Sequence, residues 1–529
     1  MGDYHVDGPN TPCVRSPEEM AGRFQAELMT ALSGWKERLG ANPDHLVELE
    51  QQIHAAFSRG ADLLIVGLMA VVTNAPEFAE ACERTRRDAA VPLGRGRARQ
   101  VRVRLLGGLM MWVTSLYCAP RKGWFGRTNE KTPGMHVELV QFGFGKGCTP
   151  GLQSRVARQA ALCPSLQFAR QELERSGVKL DVKGIRRIAN QCGQGLLRLR
   201  MQELELWRAG KLLAGTELAG KRVSVQIDGG RTRIRGELRE AASVPEATNA
   251  DGLPCENVPG RSRKRARRTF TADWREPKLL TIFVHDEQGR MVKESKATVD
   301  GTLLGPDAVA ELAAMHLHRL GAAQALSITF VADGGVWIWE RIETIVRLAQ
   351  LTGVPIYQVL DNCHATHHVS LALAALGYGD KERLVFYREY RTLLRNGQWR
   401  QVVDELTDLA QDAPEDSQVW TETAYLQKHG EAGRLKYPTF RALGLPLGSG
   451  AIESNIRRVV NLRLKGNAIY WRDNNAEAML QIRAQVLTNR WDERMRELRQ
   501  LRSRDSRPSW RWTPQDMTSK AERATGSTA

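Results

Sequence analysis

Apolar positions along this chain change rhythm twice. From residue 17 to about 90 the spacing is helical: Met20, Phe24 and Leu28 recur at near-helical intervals, and 46–70 is apolar around much of its circumference. The run Gly94-Arg-Gly-Arg-Ala-Arg-Gln100 breaks that pattern. Beyond it Val101, Val103 and Leu105, then Leu109 to Cys118, read as two strands around a Gly107-Gly108 turn, and 121–150, rich in Gly, Pro and Lys, reads as loops. Ser165 and Asp181 occupy helix-cap positions; the first opens a helix through Arg175, and the second, after Gly177, opens one carrying Ile185, Ile188 and Leu197. The expectation is a mainly helical region with a hairpin over 1–150 and a helical unit over 151–215.

From 221 the period becomes that of strands. Val223, Val225 and Ile227 alternate, Ile234 and Leu238 follow a glycine break, and Leu279 to Val284 is continuously apolar. A helix with Val309, Leu312, His316 and Leu320 on one side leads to a strand ending at Asp333, a helix from Trp337 to Leu351 and a strand from Ile356 to Leu360. Three strands followed by alternating helix and strand predict an α/β domain over 220–490, a ribonuclease H-like mixed sheet flanked by helices. Two insertions interrupt it: 241–275, read as a mobile loop around Arg261-Ser-Arg-Lys-Arg-Ala-Arg-Arg268, and a helical one over 380–440. The tail, 505–529, has no periodicity and reads as disordered.

Composition adds a partner. With 529 residues the chain exceeds the size of a single core, and its net charge of +16 and pI near 9.7 point to a polyanion, nucleic acid first. Eight cysteines stand singly, with no C-x-x-C pair to suggest structural zinc. No basic-then-apolar leader opens the chain, and the apolar run Leu63 to Val72 is too short to span a bilayer, so a cytoplasmic, nucleoid-associated protein that binds no membrane is expected.

Chemistry concentrates in three carboxylates. Asp228 and Asp333 each end an apolar strand and precede two glycines, which leave room for a nucleic-acid backbone. Glu453 lies in the first turn of a helix opened by Gly448-Ser-Gly450, beside an apolar stripe of Ile452, Ile456 and Val459. Hard oxygen ligands of this kind suit two Mg²⁺ (or Mn²⁺) ions holding the attacking and leaving oxygens of a phosphoryl transfer. Asp-Gly-Gly alone is also an ordinary turn, and Glu453 with Arg457 is also an ordinary surface pair. Asp361 and His364 form Asp-x-x-His after the next strand, in a supporting position. His364 and His368 sit one helical turn apart, where polar support outweighs chelation. Trp337 and Trp339 read as core packing, whereas Tyr470-Trp471-Arg472 suits an exposed nucleic-acid edge. The capped helices of 151–215 suggest a helix-turn-helix as readily as a plain helical hairpin.

The frames Ile227-Asp-Gly-Gly-Arg231, Ala332-Asp-Gly-Gly-Val-Trp-Ile-Trp339, Val359-Leu-Asp-Asn-Cys-His364 and Gly448-Ser-Gly-Ala-Ile-Glu-Ser-Asn455, followed by Arg463-Leu-Lys-Gly466 and Trp471, occur in this order. Together with Trp274-Arg-Glu-Pro-Lys278 they resemble ISKra-type insertion-sequence transposases, a bacterial branch of the DDE superfamily, over about half the chain. The chain lacks the N-terminal cysteine pairs that many such relatives carry. The resemblance implies a ribonuclease H-like core, Asp228, Asp333 and Glu453 as the catalytic, metal-binding triad, and a substrate of element ends (terminal inverted repeats) and target DNA, gripped by a homo-oligomer. Arg231, Arg261, Arg263, Lys264, Arg265, Arg267, Arg268, Arg457, Arg458, Arg463, Lys465 and Trp471 are the expected DNA contacts. A junction resolvase on the same fold, or a DNA-binding protein that has lost its chemistry, are the alternatives.

Overall fold

The computed structural model describes residues 3–89, 92–94, 96–120, 134–239, 269–466 and 469–501. The basic run 261–268, with its six expected DNA contacts, and the tail 505–529 lie outside them.

Strands β1 (Tyr4–Val6), β2 (Arg97–Arg104), β3 (Met110–Cys118) and β4 (Met135–His136) form an antiparallel N-terminal sheet, with β2 and β3 joined through Gly107 and Gly108. Helices Pro17–Leu32 and Leu46–Val72 cover it, burying Met20, Leu63, Val66 and Met69 against Val103, Met111 and Val113. Asp62 reaches from the long helix to accept from the amides of Gly107 and Leu109, both at 3.0 Å, and so fixes the hairpin turn. The apolar run of 63–72 extends into this helix: Pro43–Val72 is long and apolar enough to cross a membrane, while 39% of its most apolar stretch is buried inside the protein. Leu68 and Val71 on its other face are exposed.

The second sheet positions the carboxylates. It contains β5 (Arg222–Gly229), β8 (Lys278–His285), β9 (Thr298–Thr302), β10 (Ser327–Ala332) and β11 (Ile356–Leu360) in the order β11-β10-β5-β8-β9. β10 runs parallel to β5 and to β11; β8 runs antiparallel to β5 and to β9. The chain is thus a mixed α/β protein, as the strand-and-helix rhythm predicts. One face of this sheet packs Val223, Val225 and Ile227 against helices Pro306–Arg319 and Val336–Leu348; Leu279 and Val299 belong to a second core with helices Val182–Arg208 and Asp473–Leu487.

Two expectations about this sheet need correction. The strand around Ile234 and Leu238 does not join it. β6 (Thr232–Arg239) instead pairs with β7 (Thr269–Arg275) as a separate two-stranded ribbon, so the end of the expected 241–275 loop is a strand. Over 231–236 the arginines Arg231 and Arg235 are exposed and Arg233 is half-buried, between the buried Thr232 and Ile234, which suits a ribbon lying on a core rather than a strand inside it. The third strand of the sheet is β9, whose Thr-Val-Asp-Gly-Thr sequence carries two residues that strands disfavour. Its Asp300 is buried yet paired: Oδ1 accepts from Arg200 at 3.1 Å, and Oδ2 lies 2.8 Å from His316 Nε2.

The two capped helices are present, Ser165 accepting from Phe168 N at 3.2 Å and Asp181 from Gly184 N at 2.8 Å. The second runs to Arg208 and is buried along one side, with Gly193 against Ala478 and Gly195 against Leu498. Its first turns expose Lys183, Arg186 and Arg187. The 380–440 segment is helical, with Asp380–Arg395, Trp399–Leu409, Gln418–Glu431 and Tyr437–Ala442.

Candidate active site

Parallel pairing sets the site. Val331 of β10 faces Gln226 of β5 on one side and Val359 of β11 on the other. Two residues further, Asp333 therefore stands level with Asp228 and Asp361, so three aspartates line the carboxyl ends of three adjacent parallel strands. Functional side chains of α/β sheets gather at this edge.

Each aspartate is held by the turn that follows it. Asp228 accepts from Gly229 N at 2.6 Å and Asp333 from Gly335 N at 3.1 Å. Gly334 has φ +93°, and a Cβ there would lie 2.0 Å from the Tyr425 hydroxyl, so both conformation and space demand glycine. Tyr425 Oη donates to the carbonyl of Asp333 at 2.8 Å, and its ring stacks on His368 at 3.6 Å. The helical insertion thus buttresses the Asp333 turn. His368 is engaged with Tyr425 and with the carboxylate of Glu422, in the supporting role expected of it.

Glu453 is delivered by the helix Gly450–Asn455, which continues into a π-helical turn, Ile456–Asn461. Such turns recur at functional sites. Gln226, buried in β5, clamps the start of this helix: Nε2 donates to Gly448 O at 3.1 Å and Oε1 accepts from Ile452 N at 3.0 Å. Asn455 Nδ2 donates to Thr281 Oγ1 of β8 at 3.0 Å. Ser449 Oγ lies 2.9 Å from Glu453 Oε1 and 2.8 Å from Asp361 Oδ2, and its amide also donates to Asp361. Asp361 in turn caps its own helix by accepting from His364 N at 2.8 Å.

Asp361, His364 and Glu453 bring their ligand atoms within 4.8 Å of one another and can hold a metal ion. His364 Nδ1 is 3.4 Å from Asp361 and 3.9 Å from Glu453. The charges explain the titration behaviour. Burial pushes the Asp228 carboxyl up to about 6, aided by the negative charges of Asp333 and Glu453 and opposed by Gly229 N and His364. Burial also works to raise Asp361, but bonds from His364 and Ser449 outweigh it and hold the carboxyl at about 2. His364 is raised, chiefly by Asp361, with Asp333 and Glu453 contributing. Four carboxylates and one imidazole thus share one locus. The group whose ligand atoms converge among the described residues is Asp361, His364 and Glu453; of the expected set only Glu453 belongs to it, while Asp228 and Asp333 act on it through their charge.

The expected DNA contacts divide. Arg231, Arg457, Arg458 and Lys465 are exposed beside the site's elements. Arg463 is 5% exposed, its Nε donating to Ala160 O at 3.2 Å, so it is not on the open surface but in the wall of a cavity. Trp471 is half-buried and forms an isolated parallel bridge to Ile234 at the edge of the ribbon, through Trp471 N to Arg233 O at 3.0 Å and Arg235 N to Trp471 O at 2.7 Å. Trp339 is buried in the core under Arg434, as read; Trp337 is half-exposed, with Lys278 Nζ 4.0 Å from its ring. Gln226 and Tyr425 carry no motif; Ser449 lies within the Gly448–Asn455 frame, but its bonds to Asp361 and Glu453 emerge only in the fold. Comparison with protein-family models, curated proteins and solved structures returned no match.

Proposed function

We propose that the chain is a DNA transposase of an insertion sequence, with a ribonuclease H-like catalytic core that cuts element ends and joins them to target DNA. The observation that carries this reading is the level row of Asp228 and Asp333 on adjacent parallel strands, completed by Glu453 from a helix docked on the same sheet. The strand order β11-β10-β5-β8-β9, with β8 alone antiparallel to β5, supports the fold. The net charge of +16 supports a DNA partner.

Asp228, Asp333 and Glu453 would hold two Mg²⁺ or Mn²⁺ ions. When bound, such ions neutralise charge on the phosphate and lower the pKa of an attacking water. The chain's own residues do the placing. Asp361 spends both oxygens on Ser449 and His364, which favours a positioning role for it although it lies among the metal-capable groups. Ser449 holds the Glu453 carboxylate towards the strand ends. Arg231, Arg457 and Arg458 flank the row as phosphate contacts. A 3′-hydroxyl freed by the first cut attacks target DNA in a second in-line displacement, so no nucleophilic side chain is required. Cytoplasmic, nucleoid-associated action as a homo-oligomer on DNA completes the reading.

The test is a joining assay. Purified protein with Mn²⁺ and a labelled, pre-cut end of the DNA flanking its own gene should join that end's 3′-hydroxyl to a second duplex. Symmetrical cutting of a four-way junction offered alongside, with no joined product, would replace the transposase by a resolvase.

A further inference from the structure

A cavity of about 700 Å³ lies away from the carboxylate row, between the first turns of helix Val182–Arg208, the ribbon strand β6 and the segment 469–475. Arg186, Arg235, Arg463 and Arg472 line it together with Tyr470 and Trp471, and no carboxylate is among the described lining residues. None of these four arginines forms an ion pair among the described residues. For the exposed ones that is unremarked chemistry. For Arg463 it is not: the side chain is almost wholly buried, its one hydrogen bond among the described residues goes through Nε to Ala160 O, and the neighbouring Arg483 adds like charge while bonding, among those residues, only carbonyls such as Val459 O at 2.9 Å. Buried charges in proteins are paired, and an unneutralised guanidinium at a cavity wall calls for an anion.

The same cavity offers an aromatic face. The Arg463 guanidinium carbon sits 5.2 Å from the Trp471 ring centroid, and the indole N–H has no partner among the described residues. Tyr470 packs edge-on to Phe270 at 5.3 Å, and along the ribbon Arg233 lies 4.6 Å from the centroid of the half-exposed Trp274. This arginine–aromatic track starts at β6, just beyond Asp228, and ends at the cavity. Guanidinium groups bind phosphate and aromatic faces stack on any base.

We propose that this cavity takes one unstacked nucleotide of the DNA strand handled by the enzyme, its phosphate on Arg463, Arg186 and Arg472 and its base against Trp471. The inference rests on the DNA reading above. A free mononucleotide would meet the same chemistry, so the test separates the two sources. Full-length protein is titrated with a duplex bearing a short single-stranded extension that contains 2-aminopurine, with the blunt duplex, and with 2-aminopurine deoxyribonucleoside monophosphate. Binding is followed by anisotropy and by quenching of the 2-aminopurine. The variant Arg186→Glu/Arg472→Glu alters two exposed side chains, Trp471→Ala removes the stacking face, and both are used only if their thermal midpoints match wild type. Both variants should lose about tenfold in affinity for the extended duplex, the size of one base-stacking contact. Quenching should vanish with them, and affinity for the blunt duplex should stay within about twofold. Equal loss on both duplexes, or no loss on either, would overturn the cavity assignment. If wild-type protein binds the monophosphate but neither duplex, and the variants lose that binding, the cavity stands as a nucleotide site and the DNA reading fails instead.

Discussion

Asp361 is buried at the end of β11, yet its carboxyl stays ionised because each oxygen receives a hydrogen bond: His364 N on Oδ1 and Ser449 N on Oδ2, the single Ser449 hydroxyl proton lying between Oδ2 and Glu453. Since its folded pKa, about 2, lies below the ordinary value, the group stabilises the fold at pH above the usual carboxylate range and loses that contribution as pH falls towards 2. Asp361→Asn should therefore cost roughly 2–3 kcal/mol at pH 7, and the gap from wild type should narrow between about pH 4 and pH 2. Urea unfolding across that range measures it. A gap independent of pH would mean that Asp361 acts through packing and not through its charge. At this scale the sequence was informative where chemistry is local. Asp228 and Asp333 each end a run of apolar residues, and Asp361 sits three residues before His364. Gln226 was illegible because it is one polar residue in an alternating strand, and its partner Gly448 is 222 positions away.

Among elements, the glutamate helix depends most on distant support. Six residues of α-helix cannot hold an orientation by themselves. Gln226, Asn455 and the buried Ile452 and Ile456 fix it on the sheet. Gln226→Ala removes two hydrogen bonds, one to Gly448 O and one from Ile452 N, which keeps only Ser449 O at 3.0 Å, a loss of about 1–3 kcal/mol. The account expects DNA cleavage by this variant to fall by about 10- to 100-fold, as for other residues that orient a metal ligand. Thermal melting and a cleavage time course on the same preparation give both numbers; a destabilised variant with full activity would show that Gln226 holds the fold but not Glu453. Element type was legible wherever periodicity was strong, as in β5, β8 and β10. It failed at β9, where Asp300 and Gly301 disguise a strand whose acid is paired only in the folded protein, and at β6, where alternation marks a strand but not the sheet it joins.

At the scale of the molecule, buried ion pairs bind the sheet to the helices around it. Arg200 reaches both Asp300 at 3.1 Å and Glu477 at 2.8 Å, and Arg494 reaches Glu203 at 2.6 Å. Helix Val182–Arg208 thereby connects the ribbon-side cavity to the back of the carboxylate-bearing sheet. No sequence pattern announces such pairs, since their members lie as much as 291 residues apart. Charge, by contrast, was legible at once, and an excess of 16 positive charges supports the polyanionic partner of the function proposed above. The central claim is that this row performs metal-dependent cleavage of DNA. The most direct measurement is nicking of a supercoiled plasmid carrying the DNA that flanks the gene, with Mn²⁺ or with EDTA, by wild type and Asp333→Asn matched for thermal midpoint and DNA affinity. The account predicts Mn²⁺-dependent strand cuts at the element ends by wild type, and at least a hundredfold less (~10² or more) from Asp333→Asn, the loss expected of a group that acts in the transition state. Cleavage by Asp333→Asn within about tenfold of wild type, or cutting that persists in EDTA, would contradict it.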